Sequence, residues 1–219
     1  MLKEPFVMVN FKTYKESTGK NGIKLAERLA KVKGNIAFCP QVTDIREIAK
    51  LKIPVFAQHI DPIEFGRNTG WILAEAVKEA GAVGSLINHS EHRLSFDDIK
   101  KCIEACRRAK LISVVCAADK SVVRLVARLK PDYIAIEPPE LIETGLAVSQ
   151  VKPRVVLEAV KAAKKIDDKA KVICGAGISK GEDVKKALEL GTVGVLVSSA
   201  IVKAKQPEEV LKEMVKNAR

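Results

Sequence analysis

Residues 132–149 read DYIAIEPPELIETGLAVS, and the order strand, acid, loop, helix in that stretch sets the pattern for the whole chain. Tyr133, Ile134, Ala135 and Ile136 form a short apolar run of β-formers, as expected of a buried strand. The run ends on Glu137 and then on Pro138-Pro139, which cannot continue a ladder and stiffen the chain beyond them. A stretch with no regular period closes on Thr144-Gly145 and runs up to a helix. A carboxylate thus stands at the carboxyl end of a buried strand, beneath a long loop with a rigid root. Taken alone, Glu137 reads equally well as a partner for a neighbouring Lys or a cap for the next helix.

The same alternation extends in both directions. Strand-like runs at 6–10, 35–39, 55–58, 83–88, 111–116, 133–136, 172–174 and 193–197 are separated by helical periods at 22–33, 43–51, 71–80, 121–129, 155–165 and 181–190. Ser95 with Asp98 marks another helix start, and Pro207 opens the closing helix at a position proline favours. The strands are nearly continuous β-branched runs, which suits a parallel sheet covered on both faces. Eight such units in one chain predict an α/β fold, a (β/α)8 barrel forming a single domain over residues 1–219. The alternative is an open doubly wound sheet. Gly175-Ala176-Gly177 is half a dinucleotide fingerprint, but Lys180 replaces the third Gly and the unit is seventh rather than first.

Composition narrows the function classes. With 47% apolar and 30% charged residues the chain has the make-up of a folded domain. No run of ~18 apolar residues is present, so no membrane partner is expected. Residues 1–5 lead straight into the first strand, which leaves no room for a signal peptide and predicts a cytoplasmic protein. Five Cys at irregular spacing imply no disulfide framework. Cys102 and Cys106 lie one helical turn apart, but no nearby His or acid completes a metal set. The net charge of +11 raises a nucleic-acid hypothesis. Against it, the cations alternate with Glu along helix faces, and 4% aromatics offer no stacking platform. The same charge would steer a small anionic substrate.

In such barrels chemistry gathers at the carboxyl ends of the strands. There the sequence places Asn10-Phe11-Lys12, Asn88-His89-Ser90-Glu91, Glu137, Gly175-Ala176-Gly177 and Ser198-Ser199. Each has a plainer use as a loop cation, a helix cap or an N-cap; all of them on one rim make a chemical set. A base (Glu137), a neutral electrophile (His89) and a cation (Lys12) suit proton abstraction beside a carbonyl. The Gly-rich and Ser-rich turns after strands seven and eight offer N–H groups at helix N-termini for a phosphate. The implied substrate is a small phosphorylated carbonyl compound, with no metal or organic cofactor required.

The ordered set N-F-K at Asn10 to Lys12, A-Q at Ala57-Gln58, T-G at Thr69-Gly70 and H-S-E at His89 to Glu91 resembles the triosephosphate isomerases. So do I-E-P at Ile136 to Pro138, T-G at Thr144-Gly145 and G-A-G-I at Gly175 to Ile178, and the short length is similar to the compact archaeal-type branch. The resemblance implies a TIM barrel in which Glu137 takes a proton between C1 and C2 of dihydroxyacetone phosphate. Neutral His89 would shuttle protons between the substrate oxygens, while Lys12, oriented by Asn10, supports the enediolate charge. Ser90 and Glu91 would stand close behind. Backbone N–H groups at Ile142, Glu143, Gly177, Ser198 and Ser199 would hold the phosphate. Pro138, Pro139, Glu140, Leu141, Ile142, Glu143, Thr144 and Gly145 would form a lid that keeps water from the intermediate. The chain departs from longer members at Glu143, where they carry Gly, at Ser198-Ser199 in place of two Gly, and at Cys174 in place of a common Tyr.

Residues 59–70 form a loop with Ile60, Ile63 and Phe65 among Pro, Gly and charges, too apolar for free surface. By the same resemblance it inserts into a neighbouring subunit with Thr69 near its tip. A homo-oligomer is expected, with a dimer as building block and a homotetramer implied by the short branch.

Overall fold

A computed structural model describes residues 2–137 and 153–218. Eight strands alternate with helices: β1 (Phe6–Asn10), β2 (Ile36–Cys39), β3 (Phe56–Ala57), β4 (Gly84–Ile87), β5 (Ile112–Ala117), β6 (Tyr133–Ile136), β7 (Val172–Cys174) and β8 (Gly194–Val197). The helices are α1 (Lys20–Leu29), α2 (Ile45–Ala49), α3 (Ala74–Glu79), α4 (Phe96–Ala109), α5 (Lys120–Ala127), α6 (Pro153–Ile166), α7 (Gly181–Glu189), α8 (Ser199–Val202) and α9 (Pro207–Asn217). The strands pair in parallel in the order β2-β1-β8-β7-β6-β5-β4-β3. The two ends of that order meet in one bridge, Phe38 with Val55, and the Phe38 N–H donates to the Pro54 carbonyl at 2.9 Å. The sheet is therefore a barrel, as the alternation predicted.

Strand residues alternate between two apolar layers. Phe6, Met8, Cys39, Phe56, Leu86, Val114, Cys116, Tyr133, Ala135, Ile173 and Leu196 pack together inside the barrel. Val7, Val9, Phe38, Ile87, Val115, Ile134 and Val197 face the helices. Period two then fixes the direction of the strand ends: Asn10 continues the row Phe6-Met8, and Glu137 the row Tyr133-Ala135. Space inside is shared between large and small residues. A Cβ at Gly84 would stand 2.2 Å from the Phe56 ring, so Gly84 is where that ring fits.

Several boundaries differ from the sequence reading for long-range reasons. The third strand, expected over 55–58, has a ladder only at Phe56–Ala57, because its partner β2 reaches it through a single bridge. The helix expected from Trp71 begins at Ala74. Asp61 holds Ile72 in the loop, accepting from its N–H at 2.6 Å and donating its own N–H to the Ile72 carbonyl at 2.9 Å. The helix expected from Ser121 starts at Lys120, with Asp119 accepting from the Ser121 and Val122 N–H groups. Ser95 caps α4 as expected, its hydroxyl oxygen accepting from the Asp98 N–H at 3.1 Å.

The loop at 59–70 also needs a correction. Ile60 is fully buried in its own barrel, and His59 stacks on His92 with ring centroids 4.0 Å apart. Ile60 is therefore removed from the apolar surface expected there. Phe65 remains 77% exposed and neighbouring Trp71 54%, with Ile63 half-buried and Thr69 exposed.

Candidate active site

The carboxyl ends of β1, β4, β7 and β8 surround a cavity of about 270 Å³ lined by Asn10, Lys12, His89, Gly175 to Ser179 and Leu196 to Ala200. Glu137 lies beside it, fully buried at the end of β6, with its N–H donating to the Ala117 carbonyl at 2.8 Å. Its Oε1 is 3.6 Å from Nε2 of His89. Among the described residues neither carboxyl oxygen has a hydrogen-bond partner of ordinary geometry. Burial pushes the Glu137 carboxyl above the usual carboxylate range, and His89, the Cys116 thiol, the Ser90 N–H and Arg93 pull it only partway back. A carboxylate so placed is poorly solvated and correspondingly basic.

Gly175 makes the room for this side chain. A Cβ there would stand 2.6 Å from Cγ of Glu137 and 3.0 Å from Oε1. The sequence reading took the Gly175-Ala176-Gly177 turn as a phosphate feature; packing shows that its first glycine serves the acid.

His89 is aimed by the turn that carries it. Asn88 sits in the left-handed region at φ 61, which Asn tolerates better than most residues. Its side chain donates to the Cys116 carbonyl at 2.9 Å and accepts from the Leu94 N–H at 2.9 Å, while Arg93 donates to its carbonyl at 3.0 Å. The Glu91 N–H then donates to Nδ1 of His89 at 3.2 Å. An imidazole whose Nδ1 accepts carries its proton on Nε2, the nitrogen turned toward Glu137. The Ser90 hydroxyl is buried here without a partner among the described residues.

Lys12 reaches the same place from β1. Its backbone is left-handed at φ 49, with its N–H donating to Asn10 Oδ1 at 2.9 Å. Nζ lies 2.6 Å from Glu91 Oε1, so a cation, its acid and the His89 turn are joined. Asn10 thus holds the Lys12 backbone, and Glu91 pairs with its ammonium.

The two turns expected to hold a phosphate differ from expectation. After β7 the N–H groups at the start of α7 are already taken: those of Ser179 and Lys180 donate to Asp183 Oδ2, and that of Gly181 to Glu213 Oε1. That helix terminus is therefore closed by acids. What is left is the loop itself, where Gly177 at φ 65 adopts a conformation that suits glycine. After β8, Ser198 does not cap α8; its hydroxyl donates to the Asn10 carbonyl at 2.7 Å. Ser199 opens the short α8, where the Ile201 and Val202 N–H groups both donate to the Ser198 carbonyl at 3.0 Å and those of Ser199 and Ala200 come too early for an intrahelical partner. Ile142, Glu143 and the lid residues 138–145 lie outside the described residues.

The Cys102 and Cys106 pair is turned to other use. The Cys102 thiol donates to the Ile60 carbonyl at 3.3 Å, and burial pushes its pKa up to about 12 and that of Cys106 higher still.

Known proteins extend this picture. The triosephosphate isomerase family profile matches residues 5–218. The triosephosphate isomerase of Methanocaldococcus jannaschii is 50% identical, covering 96% of this chain and 98% of that protein. That of Methanothermus fervidus is 47% identical, covering 98% and 99%. At 43% identity, the Methanosarcina acetivorans triosephosphate isomerase covers 97% of this chain and 98% of its own length. With the barrel closed, its polar groups gathered at one mouth and relatives matched from end to end, the chain belongs to the triosephosphate isomerase family.

Proposed function

We propose that the protein is an isomerase interconverting dihydroxyacetone phosphate and glyceraldehyde 3-phosphate through an enediolate, with Glu137 as the base. The observation that carries this reading is the buried Glu137 carboxylate, without a hydrogen-bond partner of ordinary geometry among the described residues and 3.6 Å from His89 Nε2, beside the mouth that also holds Lys12. Glu137 takes the proton from C1 of the ketone, and the electron pair passes through the new C1–C2 double bond to the carbonyl oxygen. Negative charge develops on that oxygen, where the Nε2–H of His89 donates a hydrogen bond and the Lys12 ammonium adds its field. Returning the proton from Glu137 to C2, with His89 moving a proton between O1 and O2, gives the aldehyde. Burial raises the proton affinity of Glu137, which is what a carboxylate needs to remove a carbon-bound proton.

The phosphate is assigned to backbone N–H groups of Gly177, Ser198 and Ser199, with Ile142 and Glu143 completing the set. Residues 138–145 act as the lid, excluding water so that the intermediate keeps its phosphate. We assign the reaction no cofactor, a setting in glycolysis and gluconeogenesis, and the cytoplasm as its compartment. Another cofactor-free barrel enzyme on a sugar phosphate is the alternative; the N-F-K and H-S-E pair joined by Lys12 and Glu91 favours the triose reaction. A coupled assay with glyceraldehyde 3-phosphate decides between them. Turnover lost in Lys12→Met through both kcat and KM supports the assignment, and a parent protein without triose turnover overturns it.

The exposed Phe65 and Trp71, with Ile63 and Thr69 beside them, support a homo-oligomer built from dimers, and a homotetramer as the full assembly. Phe65→Glu should then shift the species seen by light scattering to smaller mass, whereas a parent that runs as an active monomer contradicts it.

A further inference from the structure

Two backbone carbonyls meet at the seam between β2 and β3, and two glutamine side chains stand over them. Only the Phe38–Val55 bridge joins β2 to β3, and above it the ladder stops. The last backbone bond of β1 to β2 there is the Phe11 N–H donating to the Cys39 carbonyl at 3.0 Å. The next residue, Lys12, turns out of the sheet into the left-handed region, which L-residues avoid. A carbonyl thrown out of a ladder must find another donor.

Gln58, one residue beyond β3, supplies one. Its Nε2 donates to the Lys12 carbonyl at 3.0 Å and to the Cys39 carbonyl at 3.0 Å. Gln41, just after β2, donates from Nε2 to the same Lys12 carbonyl at 2.8 Å and to Oε1 of Gln58 at 3.2 Å. Four amide hydrogens thus meet three acceptor oxygens, and the Lys12 carbonyl receives two of them. Only this orientation works, because a reversed Gln58 amide would face two carbonyl oxygens with its own oxygen. With the Lys12 N–H held by Asn10, both backbone groups of this residue are fixed by side chains.

We propose that Gln58, backed by Gln41, is a positioning residue for the active-site cation: its amide clamps the left-handed Lys12 backbone to the end of β2 and so aims Nζ over the barrel mouth. The proposal rests on the reading that Lys12 supports substrate charge. It assigns Gln58 no contact with substrate. Its effect passes through Lys12, and a Lys12 that wanders forfeits both binding of the dianion and stabilisation of the intermediate.

The test is a double-mutant cycle on the full chain, with kcat and KM read from the triose assay. Gln58→Met keeps the length of the side chain and removes both donors. It should lower kcat/KM by roughly 10–100-fold, the scale of a misplacement of about 1 Å. Lys12→Met should cost more, and Gln58→Met added to Lys12→Met should cost nothing further, since the group it positions is gone. An equal loss from Gln58→Met in both backgrounds would mean a general structural role and overturn the proposal. Gln41→Met removes one of the two clamps, leaves the seam bond to Cys39 and should show the same masking at smaller size. It decides the matter should Gln58→Met fail to fold, and an unmasked loss there overturns the proposal as well. Full turnover in Lys12→Met is a different failure: it removes the role of Lys12 itself, and the positioning role with it.

Discussion

At the amino-terminal ends of the strands, the Tyr133 hydroxyl and the Lys171 ammonium both donate to Glu4 Oε1 at 2.8 Å. Beside them Asp132 Oδ2 accepts from the N–H and the hydroxyl of Ser113, each at 2.8 Å, and Ser113 Oγ accepts the Asp132 N–H at 3.0 Å. At the carboxyl ends, Glu137 and the Ser90 hydroxyl are buried without partners among the described residues, and Lys12 and Asn88 hold left-handed backbones. Other left-handed lysines, Lys52, Lys110 and Lys130, lie just past helices α2, α4 and α5, where that conformation is an ordinary stop. Among the described residues the barrel therefore pairs these polar groups at one end and leaves some without partners of ordinary geometry at the other. The difference belongs to the site, and it marks where stability has been given up for chemistry.

The sharpest way to break that contrast is Glu137→Gln. The amide keeps the shape but cannot take the proton, so kcat should fall by ~10²–10⁴-fold. The same substitution should strengthen the fold near neutral pH. Burial raises the carboxyl above its unfolded value of 4.5, so the folded state holds its proton more tightly than the unfolded chain does. The stability this contributes is complete below that value and is lost as pH rises through the folded pKa. By pH 7 the parent has lost stability that the non-titrating amide keeps, and its melting temperature should lie lower by roughly 2–4 °C for each kcal/mol involved. The gap should narrow as pH falls toward 4.5. A variant that melts below its parent at pH 7 would mean that the carboxylate is better solvated than its burial shows.

Gly175→Ala tests the same end by steric means. The added methyl would stand 2.6 Å from Cγ of Glu137, so the carboxylate must shift. A displacement of about 1 Å is worth roughly 10²-fold in turnover. Unchanged kcat with a bound phosphate analogue would show that the glycine is spare room.

Asp132→Ala carries the comparison to the other end. It strands the N–H and hydroxyl of nearly buried Ser113, at a cost of about 1–3 kcal/mol in stability. The variant should melt earlier while kcat/KM stays at the parent value. A matching loss of turnover would mean that the two ends are coupled and that the division between them is false.

What could be read from the sequence divides along the same line. The short apolar runs before Asn10 and Glu137 were enough to put both residues at the carboxyl ends of strands, because the extent of a strand is written in its own residues. The short β3, the late start of α3 and the closed N-terminus of α7 were not readable. Each depends on a partner distant in sequence: Phe38 for Val55, Asp61 for Ile72, Glu213 for Gly181. Asn88 and Gln58 stood in plain view inside recognisable motifs, yet nothing local says that one turns the His89 loop or that the other grips Lys12. Gly175 was legible as a glycine, and its purpose only as packing against Glu137.

Ser198→Ala should have the smallest effect. The Ser198 hydroxyl is occupied, donating to the Asn10 carbonyl at 2.7 Å, so it ties the end of β8 to the end of its neighbour β1 at the rim of the mouth. Losing one neutral hydrogen bond costs about 0.5–1.5 kcal/mol, and the Asn10 carbonyl is near enough to the cavity for water to replace part of that. The proposed phosphate contact comes from backbone N–H groups, which alanine keeps. Affinity for inorganic phosphate, measured by competition in the triose assay, should therefore stay close to the parent while Lys12→Met weakens it strongly. A Ser198→Ala loss as large as that of Lys12→Met would move the phosphate contact from the backbone to the hydroxyl. It would also require that hydroxyl to abandon Asn10 when substrate binds, making this edge of the mouth rearrange on binding.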